Sequence, residues 1–114
     1  MFRIYKNKYN NKKVEYDGHK FDSRKEANFY LTLKSLLEEG DIRDLELQKE
    51  YILQDKFKLN NKTIRKITYV ADFTYYSDID KKVHVVDVKG FKTEVYKLKK
   101  KLFEYKYGIE IEEV

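Results

Sequence analysis

The sequence predicts a mixed α/β fold, a mixed β-sheet with helices packed against it. Three observations carry this. Strand-like segments, alternating or continuously apolar, occupy residues 45–53, 64–76, 83–89 and 109–112. Two segments, opening at Ser23 with a capping box and at about Thr93, instead show helical spacing and each ends at a glycine stop. The last strand follows the second helix, so it joins the sheet by a crossover. At 114 residues the chain is expected to hold one domain with a modest core.

The first dozen residues are basic and Asn-rich and read as a flexible arm, with the domain proper over 13–114. Residues 13–16 and 19–21 flank Asp17-Gly18, a strong hairpin signal. Ser23-Arg24-Lys25-Glu26 has the capping-box pattern and opens the first helix, whose apolar face is Ala27, Tyr30, Leu31, Leu33, Leu36 and Leu37. Gly40 ends it. Leu45 to Leu53 follows as a strand, and 54–63 as a polar loop. Ile64 to Tyr76 is a long strand rich in β-branched and aromatic residues. Residues 77–82 turn the chain into the strand Val83–Lys89, which Gly90 breaks. The second helix runs from about Thr93 to Tyr107, with Val95, Leu98, Leu102 and Tyr105 as its apolar stripe. Gly108 ends it before the last strand. The order is a hairpin followed by α-β-β-β-α-β, with the three middle strands as an antiparallel meander.

The chain is 39% charged with a net charge of +5, and 16% of its residues are aromatic, which argues against disorder. It has no Cys, which excludes a disulfide framework and a Cys-based zinc site. No apolar stretch has the length of a membrane span or a signal core, so the expected compartment is the cytoplasm. Residues 1–13 and 56–66 each carry five basic residues and no acid. Such segregation fits a polyanionic partner, and equally a solvated surface of mixed charge.

The chemistry concentrates where the strand Val83–Lys89 ends. Side chains alternate along a strand, so Asp87 and Lys89 point the same way. Two other acid-x-Lys triplets, at 80–82 and 104–106, fall in a turn and on a helix. Asp72, near the end of the preceding strand, adds a second carboxylate. Two carboxylates on adjacent strands repel unless a cation or a proton lies between them. The alternative is a salt bridge from Lys89 to Asp72 or Asp87.

Asp72, fourteen residues, then Asp87-Val88-Lys89 resembles the signature of the PD-(D/E)XK nuclease superfamily. The order of elements from residue 23 is similar to that superfamily's restriction-endonuclease-like core. Within it the chain closely resembles a family of small phage and prophage proteins of unassigned function. The segments 21–27, 45–48, 69–73, 87–90 and 93–99 carry that likeness. The resemblance implies that Asp72 and Asp87 bind Mg²⁺, with Mn²⁺ able to substitute, and that Lys89 is the catalytic lysine. It implies a further metal-binding and catalytic carboxylate at Glu26, which the capping box also claims. Ala71 stands where the superfamily usually has Pro. Gln48 is an accessory candidate beside the site. His19 and His84 lack ligand spacing.

Lys97, Lys100 and Lys101 on the second helix, with Lys12 and Lys13 of the basic N-terminal region, are the candidate DNA contacts. Phe2, Tyr5 and Tyr9 interleave with the arm's charges and could stack on bases. The expected activity is Mg²⁺-dependent hydrolysis of phosphodiesters in branched or structured DNA, as in Holliday-junction resolvases, during phage DNA metabolism in the host cytoplasm. A homodimer is implied by analogy with junction-resolving members. Two rival readings are a non-catalytic DNA-binding module on the same fold and a structural phage protein with a buried ion network.

Overall fold

The computed structural model describes residues 3–6 and 12–114, with side chains from residue 13 onward. The chain forms two compact units, Met1–Asp41 and Ile42–Val114. The fold is mixed α/β, as expected. Among the described residues no helix is long and apolar enough to cross a membrane.

In the first unit, β1 (Arg3–Lys6), β2 (Lys12–Tyr16) and β3 (His19–Phe21) form an antiparallel sheet in that order. Residues 3–6 of the expected arm therefore pair with β2. Its residues 1–2 and 7–11, and the side chains of Tyr5 and Lys12, lie outside the described residues. Asp17 and Gly18 both take left-handed φ, 53° and 78°, as a tight hairpin turn requires. Helix α1 (Arg24–Glu39) begins at Ser23, whose Oγ accepts the Glu26 N–H, and ends at left-handed Gly40. Ala27, Tyr30 and Leu33 are its buried residues besides Glu26. The Tyr30 ring lies 5.2 Å from that of Phe21, and its hydroxyl donates to Asp17 in the hairpin turn at 2.9 Å.

The second unit contains β4 (Ile42–Gln54), β5 (Phe57–Leu59), β6 (Lys62–Ile64), β7 (Ile67–Ser77), β8 (Lys82–Asp87), α2 (Glu94–Tyr107) and β9 (Ile111–Glu113). The main sheet has the order β4-β7-β8-β9. β4, β7 and β8 form the expected antiparallel meander, and β9 pairs parallel to β8 after the α2 crossover. The polar loop expected over 54–63 is instead largely a two-stranded ribbon, β5–β6. Asn60 and Asn61 make its turn, both with positive φ. They supply the left-handed conformations usually signalled by Asn-Gly, so the turn was harder to read.

The core joins Tyr69 and Ala71 of β7, Val85 of β8, Ile111 of β9, and Tyr96 and Phe103 of α2. This corrects the stripe expected for α2. Val95, Leu98, Leu102 and Tyr105 are all exposed, Tyr105 by 90%. The helix turns its larger rings inward instead. Phe103 packs 4.9 Å from Tyr51 and 5.3 Å from Tyr69, and is fully buried. Phe103 and Tyr96 meet the rings of β4 and β7 and bury more area there than Val95, Leu98 or Leu102 would, and Tyr105 on the same outer stripe is carried into solvent with them.

Candidate active site

Asp72 stands in the middle of β7, which runs on to Ser77, rather than near a strand end. The register places Gln48 of β4 opposite it, between the pairs Leu47–Phe73 and Lys49–Ala71. The pleat is interrupted there. Val85 pairs with Thr74 and shares its face. Yet Val85 packs in one cluster with Tyr69 and Ala71, which an unbroken β7 would put on the face opposite Thr74. The alternation therefore slips between Ala71 and Thr74. Across the ladder, Gln48 takes a left-handed φ of 54°. A non-glycine residue held in this region is strained, and such strain concentrates at functional sites.

Both oxygens of Asp72 are engaged. Oδ2 accepts the Val88 N–H at 2.8 Å, and Oδ1 accepts the Gln48 amide at 3.2 Å. Burial pushes its pKa up to about 6, with the neighbouring Asp87 carboxyl adding to the rise. The Val88 and Gln48 donors offset part of it. This arrangement gives Gln48, the accessory candidate, a direct contact with the site.

Asp87 closes β8 and is 2% exposed. The ladder continues past it: the Val114 N–H donates to the Asp87 carbonyl, and the Lys89 N–H donates to that of Val114. This extension keeps Asp87 and Lys89 in strand alternation, and Lys89 Nζ lies 3.3 Å from Asp87 Oδ1. Tyr69 donates its hydroxyl to Asp87 Oδ2 at 2.7 Å. Burial, then the bond to Asp87, pushes the Tyr69 phenol far up and keeps it a donor. Oδ1 is buried with no hydrogen-bond partner, because the lysine approaches without hydrogen-bonding geometry. Lys89 Nζ also lies 4.4 Å from the centre of the Tyr96 ring, whose hydroxyl donates to Glu113.

These groups fit a hard divalent cation. Mg²⁺ takes one or two carboxylates and fills its shell with water and phosphate oxygens. A buried carboxylate oxygen that pairs with Lys89 but has no hydrogen bond, and a second carboxylate with a raised pKa, are the features such an ion would relieve. Among the described residues no three His, Cys, Asp or Glu side chains are grouped for a metal, and within the second unit the candidate ligands are Asp72 and Asp87.

Glu26 belongs to the first unit. It is 6% exposed in the first turn of α1, where its N–H is capped by Ser23. Lys13 pairs with Asp22 at 3.5 Å in the same unit. On α2, Lys97 pairs with Glu94 and Lys100 with Glu104. With Lys101 these lysines line one cleft of about 360 Å³. A separate cleft of about 280 Å³ reaches Asp87 and Lys89, and its other walls include Thr68, Thr93 and Lys99. Lys99 and Tyr69 were not singled out from the sequence. Lys99 lies three residues after Tyr96, so it becomes legible once Tyr96 is known to face the site.

The chain belongs to the family described as "Protein of unknown function (DUF1064)", which it matches over residues 6–112. No curated protein and no solved structure matches it.

Proposed function

We propose that this member of that family is a Mg²⁺-dependent DNA endonuclease acting on branched or structured DNA. The observation that carries the reading is Asp87 Oδ1, buried and without a hydrogen bond beside Lys89. The rival structural reading shares the Lys89–Asp87 salt bridge of 3.3 Å, but a closed ion network would also satisfy Oδ1 with a hydrogen bond. The resemblance to the PD-(D/E)XK superfamily supports the same trio.

Asp72 and Asp87 would hold the metal ion, which would supply Lewis-acid stabilisation of phosphate charge. Tyr69 occupies one oxygen of Asp87 and leaves the other to the ion. Val88 and Gln48 hold the Asp72 carboxyl in place. Lys89, supported on the Tyr96 ring, donates hydrogen bonds to the attacking water or to charge that develops on the phosphoryl oxygens.

The test is incubation of the purified protein with junction, flap, single-stranded and linear duplex DNA, with Mg²⁺ or Mn²⁺. The expected result is cleavage of at least one structured substrate. Lys89→Ala should slow it by about 10²–10³-fold while DNA binding persists. Asp87→Ala should abolish it. Equal cleavage by wild type and Lys89→Ala would overturn the assignment. Salt-sensitive binding with no cleavage by the wild type would replace it with a DNA-binding module.

A further inference from the structure

We propose that the β5–β6 ribbon is a DNA-contacting arm that enters the major groove of duplex DNA beside the cleavage site. The inference deepens the nuclease reading and rests on it for the identity of the partner. Every residue from 54 to 67 is exposed, so the ribbon stands free along both faces. A bare two-stranded ribbon is marginal in water and gains order when a partner covers it. Here the ribbon continues the long β4–β7 pair, which anchors its base.

Its chemistry points to one partner. Residues 56–66 hold five basic side chains and no acid. Lys66 is paired with Glu50 at 2.8 Å and helps hold the ribbon's base. Lys56, Lys58, Lys62 and Arg65 have no acidic partner among the described residues. The register gives the two faces different characters. Phe57 and Ile64 are opposite each other, as are Leu59 and Lys62, and these four share a face. Lys58 and Thr63 form the other. The three apolar side chains are 37–59% exposed.

Unpaired cations around a narrow apolar strip match a nucleic-acid groove, with phosphates along both walls and thymine methyl groups among the polar base edges of the floor. Two strands lie about 4.7–4.9 Å apart. A major groove about 12 Å wide accepts such a ribbon with its side chains. A protein partner of that chemistry would have to be strongly acidic around an apolar ridge, and nothing in the structure calls for one.

The experiment uses the full chain, a fluorescent duplex of about three turns and the matching single strand, with Ca²⁺ in place of Mg²⁺. Binding is followed by anisotropy across a salt series for wild type and for the triple variant Lys58→Ala, Lys62→Ala, Arg65→Ala. The expected result is weaker duplex binding, with the slope of log affinity against log salt reduced by about 2–3. Leu59→Ser alone should weaken duplex binding while leaving that slope unchanged. Circular dichroism checks the fold, and sedimentation reads the oligomeric state.

Wild-type duplex binding with an unchanged slope in the triple variant overturns the arm. So does a loss confined to single strands, or a change in oligomeric state without a change in DNA affinity. The two readings fail separately: loss of cleavage in Lys89→Ala with unchanged duplex binding in the triple variant rejects only the arm. A wild type that neither binds nor cuts any DNA rejects both.

Discussion

At the scale of single residues, the site depends on how the oxygens of Asp87 are divided. Tyr69 takes Oδ2 and leaves Oδ1 beside Lys89 without a hydrogen bond. Removing that hydroxyl leaves a second buried oxygen without its donor. Tyr69→Phe should cost about 1–3 kcal/mol of folding stability, measured by chemical denaturation. It should also weaken Mn²⁺ binding by about ten- to a hundredfold, read by calorimetry, because the carboxylate loses its fixed orientation. Unchanged Mn²⁺ affinity in a folded Tyr69→Phe protein would remove Tyr69 from the site and leave it a packing residue. The alternation of residues 87 and 89 was legible because the extended backbone dictates it. The partner of Asp87 was not, because Tyr69 lies 18 residues away on another strand.

At the scale of elements, β4 carries two left-handed residues, Asp44 and Gln48. Asp44 coincides with a register shift between Arg43 and Glu46, whereas Gln48 lies in continuous register opposite Asp72. Glycine adopts this conformation without a Cβ clash. Asp44→Gly should therefore raise stability by up to about 1 kcal/mol, whereas Gln48→Gly gains the same relief but loses the amide bond to Asp72, so its net change is smaller or negative. Only Gln48→Gly should reduce cleavage, since Asp72 Oδ1 loses its amide donor. Equal activity in the two variants would mean that the Gln48 strain serves nothing at the site. The helices were legible from the Ser23 cap and from the glycine stops Gly40 and Gly108, because capping acts within a single turn, while the Thr93 cap emerged only in the structure. The buried face of α2 was misjudged, because counting apolar positions favoured Val95 and Leu98 over two large rings.

At the scale of the whole molecule, stability is coupled to pH through His84. Its ring lies flat on Tyr75, 4.9 Å between centres, and contacts Asp80 of the β7–β8 turn and Glu112 of β9. Burial opposes its charge, but the two carboxylates outweigh burial and raise its pKa above the ordinary 6.5. A raised folded pKa contributes stability that is fully present below 6.5 and is lost as pH rises through the folded value. The loss of denaturation midpoint in His84→Gln should accordingly be larger at pH 6 than at pH 9. Equal losses at both would show that His84 acts through packing alone. The sequence offered no ligand spacing for this histidine, and its role is to tie the turn to β9.

The sequence by itself determined the mixed α/β class, the two helices and their ends, the meander with its crossover, and the pairing of Asp87 with Lys89. All of these follow from periodicity, caps and alternation, which act over a few residues. Only the tertiary structure decided which oxygen of Asp87 lacks a hydrogen bond, that Gln48 reaches Asp72, that Lys99 rather than Lys97 lines the cleft at Lys89, and that residues 57–64 stand out as a ribbon. Each depends on which strand or helix face meets which. That is settled by the burial of large rings and by ladder register between segments far apart in the chain, where local sequence pattern carries no information.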